Sequence, residues 1–218
     1  NIYTDDIVRA INYITYNKKA DVINMSYCSY KNVTAEEVAI KAANEAKIIC
    51  VAAAGNDNTS SKAYPAALNT TLSISAVNSK LEKAYFSNFG STITFSAPGD
   101  SICSINGVMS GTSMAAPHAA SAVAILKSYN KNLTLENIVE LLKRHAVDLG
   151  EEGYDEYYGY GLINFNGSEF YDGSDGDEFN VFKNKSENED TKLKIEPSDE
   201  VYIPIYNYGN ITNLMNAK

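Results

Sequence analysis

The chain has 218 residues, of which 44% are apolar, and it carries a formal net charge of −9. This length fits one large domain or a domain with a piece of another, and the negative charge argues against nucleic acid and membrane surfaces as partners, because both are bound through basic patches. Three cysteines without a CxxC spacing argue against a disulfide framework or a zinc site.

The amino-terminal part of the chain predicts a helix followed by a strand. In residues 4–16 isoleucines recur on one helical face, Thr4 is placed to cap the helix, and two aspartates suit its first turn. Residues 21–27, DVINMSY, have the composition of a strand. Together they form a first helix–strand unit.

A second unit follows over residues 34–47 and 48–55. Thr34, with Glu37 three residues later, is a capping-box signature for the start of a helix. Residues 48–55, IICVAAAG, are apolar without alternation, which is typical of a strand buried on both faces of a parallel sheet.

The remaining elements repeat this pattern. Strands are predicted over 70–77 and 92–99, and helices over 113–129 and 134–145. The last helix is amphipathic, and its inward side chains are Ile138, Leu141 and Leu142. Alternating helices and strands indicate an α/β fold with an open, mostly parallel sheet.

The composition changes near residue 172. The stretch DGSDGDEFNVFKNKSENED is polar and acidic, as linkers are, and its spacing does not fit a calcium-binding EF-hand loop. Residues 200–209, EVYIPIYNYG, alternate as a strand would. We therefore expect one domain over 1–171, and over 172–218 an acidic linker with a candidate strand of a further module.

The stretch GTSMAAPHAA places Ser113 where a loop meets a long helix. A helix start offers unpaired N–H groups and the positive end of the helix dipole, which suit a developing oxyanion. Taken alone, the stretch favours the simpler interpretation that Thr112 or Ser113 only caps the helix. His118 follows after about 500° of helical turn and about 7.5 Å of rise, so its imidazole points away from Ser113.

Several stretches, taken in order, resemble the subtilisin-like serine proteases (subtilases) over residues 4 to about 166. They are DVINMS, VAAAGND, YPAA, FSNFG, FSAPG, GTSMAAPH and YYGYGLINF. The resemblance implies a three-layer α/β fold and a serine endopeptidase that cleaves peptide bonds through an acyl-enzyme. It identifies Ser113 as the nucleophile and Asn56, with the backbone N–H of Ser113, as the oxyanion hole, and it makes His118 structural.

The resemblance also assigns the substrate cleft to the stretches MSYCS and AAAGND. It implies that Ser26, Tyr27 and Cys28 pair with an extended peptide as an added strand, and that the bulk of Tyr27 and Cys28 narrows the cleft. Ala63 near the pocket floor and Asp57 near its rim favour medium-sized apolar or basic substrate side chains over large aromatic ones. The substrate-binding residues implied are Ser26, Tyr27, Cys28, Ala54, Gly55, Asp57, Ala63 and Thr112.

Many subtilases bind calcium, but GSTITF offers no carboxylates beside the carbonyl groups of AYPAALNT, so no metal site is expected in this chain. No cofactor is expected either. By resemblance alone, an extracellular or cell-surface location is favoured.

Two catalytic residues of the family have no counterpart in the sequence. The triad runs Asp, His, Ser along the chain, and neither the Asp-Thr/Ser-Gly motif nor the His-Gly-Thr motif occurs here. We expect both motifs on an amino-terminal portion of the domain, which would be a partner of this chain. Without that partner we expect the chain to be inactive. We also expect it not to fold stably alone, because apolar faces of its sheet would be uncovered. The alternative is a catalytically inert pseudoprotease or peptide-binding module.

Overall fold

A computed structural model of the protein describes residues 3–105 and 107–164. Within them, the elements in chain order are α1 (Thr4–Asn17), β1 (Val22–Met25), α2 (Thr34–Glu45), β2 (Ile49–Ala53), β3 (Thr71–Val77), β4 (Phe95–Pro98), β5 (Ile102–Ser104), β6 (Gly107–Met109), α3 (Thr112–Tyr129) and α4 (Leu135–His145). The expected linker and the strand at 200–209 lie outside the described residues, so the domain boundary at 171 stays a prediction.

The main sheet has the order β1-β2-β3-β4, and all of its strands are parallel. Every residue of β2, β3 and β4 is buried. The unbroken apolar run at 48–55 therefore predicted its environment correctly, because a strand covered on both faces needs no polar side. The mostly parallel α/β fold is confirmed.

Helices cover both faces of this sheet. Cys50 and Ala52 of β2 pack into one core with α1 and α2, through Ile11 and Ile40. The alternate residues of β2 face the other way, and α3 contacts all four strands. The expected uncovered apolar faces are therefore wrong for β2, β3 and β4. The two edge strands are β1 and β4; β1 has an exposed residue, Asn24, whereas β4 is buried throughout.

Two predicted helix caps are wrong. Thr4 and Thr34 are the first residues inside α1 and α2, and Tyr3 and Val33 occupy the N-cap positions without a side-chain cap. In each helix the residue before the threonine takes the extended N-cap conformation, so the threonine is the first helical residue and not the cap. Glu37 instead accepts a hydrogen bond from Asn32.

An antiparallel hairpin of β5 and β6 joins β4 to α3 and was not predicted. The Ser110 hydroxyl donates to the Asp100 carboxylate (2.8 Å) at its base, and Gly111 N–H donates to Gly99 O (2.7 Å). These bonds return the chain to the sheet at the first residue of α3. Among the described helices, none has the length and apolar character needed to cross a membrane.

Candidate active site

The predicted site residues gather where β1 and β2 end and α3 begins. Ser26 directly follows β1, residues 54–57 follow β2, and Ser113 is the second residue of α3. The carboxyl ends of parallel strands share one edge of the sheet, which is where open α/β sheets bind ligands. Residues far apart in the sequence are therefore brought together by the sheet order.

Ser113 and Ser26 are joined by two reciprocal hydrogen bonds. The Ser113 hydroxyl donates to Ser26 O (3.0 Å), and the Ser26 hydroxyl donates to Ser113 O (3.0 Å). Ser113 O is available because Pro117, four residues later, has no N–H to donate to it. Asn24 Nδ2 in turn donates to the Ser26 hydroxyl (2.9 Å), so the end of β1 fixes the start of α3.

Thr112 holds Asn56 beside Ser113. The Asn56 Oδ1 atom accepts hydrogen bonds from Thr112 N (2.8 Å) and Thr112 Oγ1 (2.9 Å), while Gly55 N donates to Thr112 Oγ1 (3.0 Å). Thr112 is fully buried, so its side chain orients Asn56 rather than facing a substrate. Asn56 Nδ2 keeps its protons free of acceptors within the described residues, and Ser113 N–H, in the first helical turn, has no intrahelical acceptor.

Asn88 organises the loop that carries Asn56, and the sequence analysis gave it no role. The side chain, only 2% exposed, accepts from Asp57 N (2.9 Å) and donates to Ala54 O (3.0 Å). Gly55, with φ of +105°, passes so close that a Cβ there would lie 2.3 Å from Asn88 Nδ2. The stretch FSNFG belonged to the family pattern, but that pattern did not indicate which atoms Asn88 binds.

Tyr27 and Cys28 point in different directions. The Tyr27 hydroxyl donates to Glu36 Oε1 (2.7 Å), and its ring packs on the core between α1 and α2, so the expectation that Tyr27 narrows the cleft is wrong. Burial, and then the neighbouring Glu36, raise the pKa of Tyr27. Cys28 Sγ lies 3.4 Å from the Cβ position of Gly55, between the two expected walls. Burial, followed by the charge of Asp57, raises the pKa of this thiol and keeps it neutral.

The expected rim and floor of the specificity pocket lie farther along the same walls. The Tyr30 hydroxyl donates to Asp57 Oδ2 (2.5 Å). Ala63 is buried and directly precedes Tyr64, whose backbone pairs with Ser29 through bonds of 2.8 and 2.7 Å. The carboxylate expected to attract basic substrates is thus already bound by a phenol.

The carbonyl groups of AYPAALNT converge on a threonine. Thr71 Oγ1 lies 3.0 Å from Pro65 O, 3.2 Å from Ala66 O and 2.9 Å from Leu68 O. Across residues 3–105 and 107–164, no three His, Cys, Asp or Glu side chains are grouped to hold a metal ion. The lack of a tight metal site stays a prediction.

His118 is bound within its own helix and to the end of β4. Its Nδ1 lies 2.7 Å from Met114 O, and the ring also hydrogen bonds to the backbone of Pro98. The geometry agrees with the helical argument that this imidazole does not serve Ser113. Burial is the main cause that lowers the pKa of His118, and the two backbone bonds oppose it.

Acidification below about pH 6.5 is expected to destabilise the protein partly through His118. Because its pKa is lower in the folded state than the ordinary value, unfolding takes up a proton at this residue, so stability falls as the pH falls from that ordinary value through the folded one. Urea unfolding at pH 7 and pH 5 measures how much unfolding free energy is lost on acidification, and this loss should be smaller for His118→Gln than for the wild type. Ser121→Ala, in the same helix, should keep the wild-type loss, and equal losses in all three proteins would contradict this assignment.

Comparisons with known proteins identify the family of the chain. The subtilase family profile, Peptidase_S8, matches residues 1–161. The minor extracellular protease Epr of Bacillus subtilis strain 168 is 38% identical over 153 residues, which are 67% of this chain and 24% of that protein. Subtilisin NAT of Bacillus subtilis subsp. natto is 38% identical over 167 residues, 72% of this chain and 43% of that protein. The chain thus spans less than half the length of these two relatives.

Solved structures show the same fold. A protease of Pseudoalteromonas arctica PAMC 21717 superposes with a TM-score of 0.66 and 28% identity, over 74% of this chain and 56% of that one. The psychrophilic subtilisin-like protease Apa1 of Pseudoalteromonas sp. AS-11 gives a TM-score of 0.68 over 74% and 72% of the two chains, and at 18% identity it supports the fold alone. Because the family profile covers most of its length, the chain belongs to the subtilase family.

Proposed function

We propose that this chain is the nucleophile-bearing and oxyanion-binding part of a subtilisin-like serine endopeptidase. The proposal rests on two sets of hydrogen bonds. Ser113 bonds to Ser26, and the neighbouring Thr112 bonds to Asn56. A serine hydroxyl beside two available N–H donors is the arrangement that acyl transfer requires.

In this mechanism the Ser113 oxygen attacks the carbonyl carbon of the substrate while a histidine takes its proton. The resulting oxyanion accepts hydrogen bonds from Asn56 Nδ2 and Ser113 N–H. Collapse breaks the C–N bond, the amine leaves with the proton held by the histidine, and water hydrolyses the acyl-enzyme. Peptides and proteins are the proposed substrates.

The histidine and its aspartate are proposed to come from polypeptide outside these 218 residues. The sequence holds two histidines. His118 hydrogen bonds to backbone atoms of its own helix and of β4. His145 is the last residue of α4. In the resting structure the Ser113 hydroxyl donates to a carbonyl oxygen, which orients its proton but is too weak a base to remove it.

The edge of β1 is the proposed docking place for that polypeptide. No strand of the described residues pairs with the outer side of β1, whose Val22 and Ile23 are half-buried and whose Asn24 is exposed. An open edge strand presents free backbone donors and acceptors for pairing. A strand added there would stand next to Ser26 and therefore next to Ser113. By analogy with an extracellular relative, we propose an extracellular or cell-surface site of action.

The test is covalent labelling of Ser113 with a peptidyl diphenyl phosphonate. The chain is expressed with any coding sequence that precedes it, and the adduct is located by mass spectrometry while hydrolysis of a peptide ester is followed. We expect an adduct on Ser113 and hydrolysis that Ser113→Ala abolishes. Ser121→Ala, a hydroxyl lost from the same helix, should leave both unchanged.

The same experiment distinguishes the enzyme from the catalytically inert alternative. A folded protein that binds peptides but forms no adduct and hydrolyses no ester would be a pseudoprotease or peptide-binding module. Hydrolysis by residues 1–218 alone, dependent on Ser113, would contradict the proposed external aspartate and histidine.

A further inference from the structure

Three residues at a spacing of two, in the stretch proposed as one wall of the cleft, face residues near the opposite wall. Ser26 bonds to Ser113, Cys28 lies against Gly55, and Tyr30 bonds to Asp57. In extended backbone alternate side chains share one face, which is the relation of Ser26 to Cys28 before the chain bends at Tyr30. The intervening Tyr27 accordingly points the other way, to Glu36.

The outermost of these contacts is held in place by a buried side chain. Asn88 Nδ2 donates to the Tyr30 hydroxyl (3.2 Å) and Asn88 Oδ1 accepts from Asp57 N (2.9 Å), so one amide fixes both partners. Tyr30 and Asp57 line a surface hollow together with Thr59, Ser61 and Lys62. The pair therefore lines a part of the surface that solvent reaches.

The protonation states suit a donor–acceptor pair. Burial, and after it the hydrogen bond to Asp57, raise the pKa of Tyr30, so its hydroxyl remains a proton donor at neutral pH. A hydroxyl that donates to a carboxylate is a charge-assisted bond, stronger than one between neutral groups. A substrate side chain that reaches Asp57 must therefore compete with Tyr30.

We propose that Tyr30 and Asp57 form a closing strap across the outer end of the cleft, which then accepts small uncharged substrate side chains such as those of glycine, alanine and serine. The inference rests on the proposed function, since it names the substrates of the same cleft. Cys28 takes up the width that a larger side chain needs, and the strap closes the length. A lysine or arginine side chain enters only by replacing the Tyr30 hydroxyl on Asp57.

Peptide binding tests this without requiring hydrolysis. Fluorescein-labelled tetrapeptides that differ only in a carboxyl-terminal alanine, lysine or phenylalanine imitate the acyl product, and anisotropy gives their dissociation constants with the same preparation used for labelling. The wild type should bind the alanine peptide most tightly. Tyr30→Phe keeps the ring but frees Asp57, so the affinity for the lysine peptide relative to alanine should rise by up to about fivefold, the upper end for an exposed ion pair.

Further variants identify the carboxylate as the cause. The gain of Tyr30→Phe should vanish in Tyr30→Phe/Asp57→Asn and shrink at high salt, because exposed charges are screened. Tyr13→Phe, which removes an exposed hydroxyl from α1, should keep the wild-type order. An unchanged order in Tyr30→Phe, a gain that survives without Asp57, or no binding of any peptide would overturn the strap. An expected shift in binding with no phosphonate adduct on Ser113 would instead remove the peptidase function and leave the strap in place.

Discussion

Replacing Asn56 with alanine is expected to lower kcat of the active assembly by about 10²–10³-fold while KM stays within about twofold. That is the loss known for the oxyanion-hole asparagine of subtilisin. The physical reason is that Asn56 Nδ2 is a donor whose direction is set by two bonds from Thr112 to Oδ1. Its bond to the substrate oxygen strengthens only as charge develops there, so the loss falls on kcat.

Steady-state kinetics on a peptide ester would measure both constants. Asn32→Ala is a suitable control, because Asn32 is an exposed residue that bonds to Glu37, and it should leave both constants unchanged. A loss below about fivefold for Asn56→Ala, or one that appears in KM alone, would show that Asn56 does not bind the oxyanion.

Replacing Lys127 with methionine should lower the free energy of unfolding by about 3 kcal/mol. Lys127 is 1% exposed, and its Nζ donates to Leu133 O (2.8 Å), Lys131 O (2.9 Å) and Lys47 O. Methionine fills most of the volume of the lysine stem but donates no hydrogen bond. Three carbonyl groups then lose their donor, and each costs about 1–3 kcal/mol if no water replaces it, without adding fully.

Urea unfolding followed by circular dichroism measures this change. Lys41→Met is the matched control: Lys41 is exposed on α2 and pairs with Glu45 at 4.0 Å, and such surface pairs contribute little. Equal midpoints for Lys127→Met and Lys41→Met would mean that water satisfies the three carbonyls and that the buried ammonium adds no stability.

The sequence predicted those parts of the fold that depend on local composition. The apolar run at 48–55 indicated a doubly covered strand, and β2 is buried throughout. The inward residues Ile138, Leu141 and Leu142 of α4 are buried as their spacing required. The predicted caps at Thr4 and Thr34 are wrong because a capping signature does not determine which residue is the first in the helix. The β5–β6 hairpin was not predicted because its strands have three residues each and are mostly exposed, so no burial pattern indicates them.

The residues of the candidate site were also predicted only in part. Family motifs pointed to Ser113 and Asn56, but not to Asn88 or Tyr30, whose importance lies in bonds across 31 and 27 positions of the chain, respectively. The side chain of Tyr27 was predicted to face the cleft, and this was wrong for a related reason. A motif gives the identity of a residue in an extended segment, whereas the side it faces depends on the pleat and on α2, which supplies Glu36.

The position of Ser113 at the start of α3 couples this residue to the buried core of the described residues. α3 contacts all four strands, and its Ala116, Ala119 and Val123 are fully buried. Local opening that would release the serine must therefore break the central core, at close to the free energy of global unfolding. The hairpin just before it is mostly exposed and has no such anchorage. Changes of sequence in the hairpin can thus occur while Ser113 and Asn56 keep their relative positions.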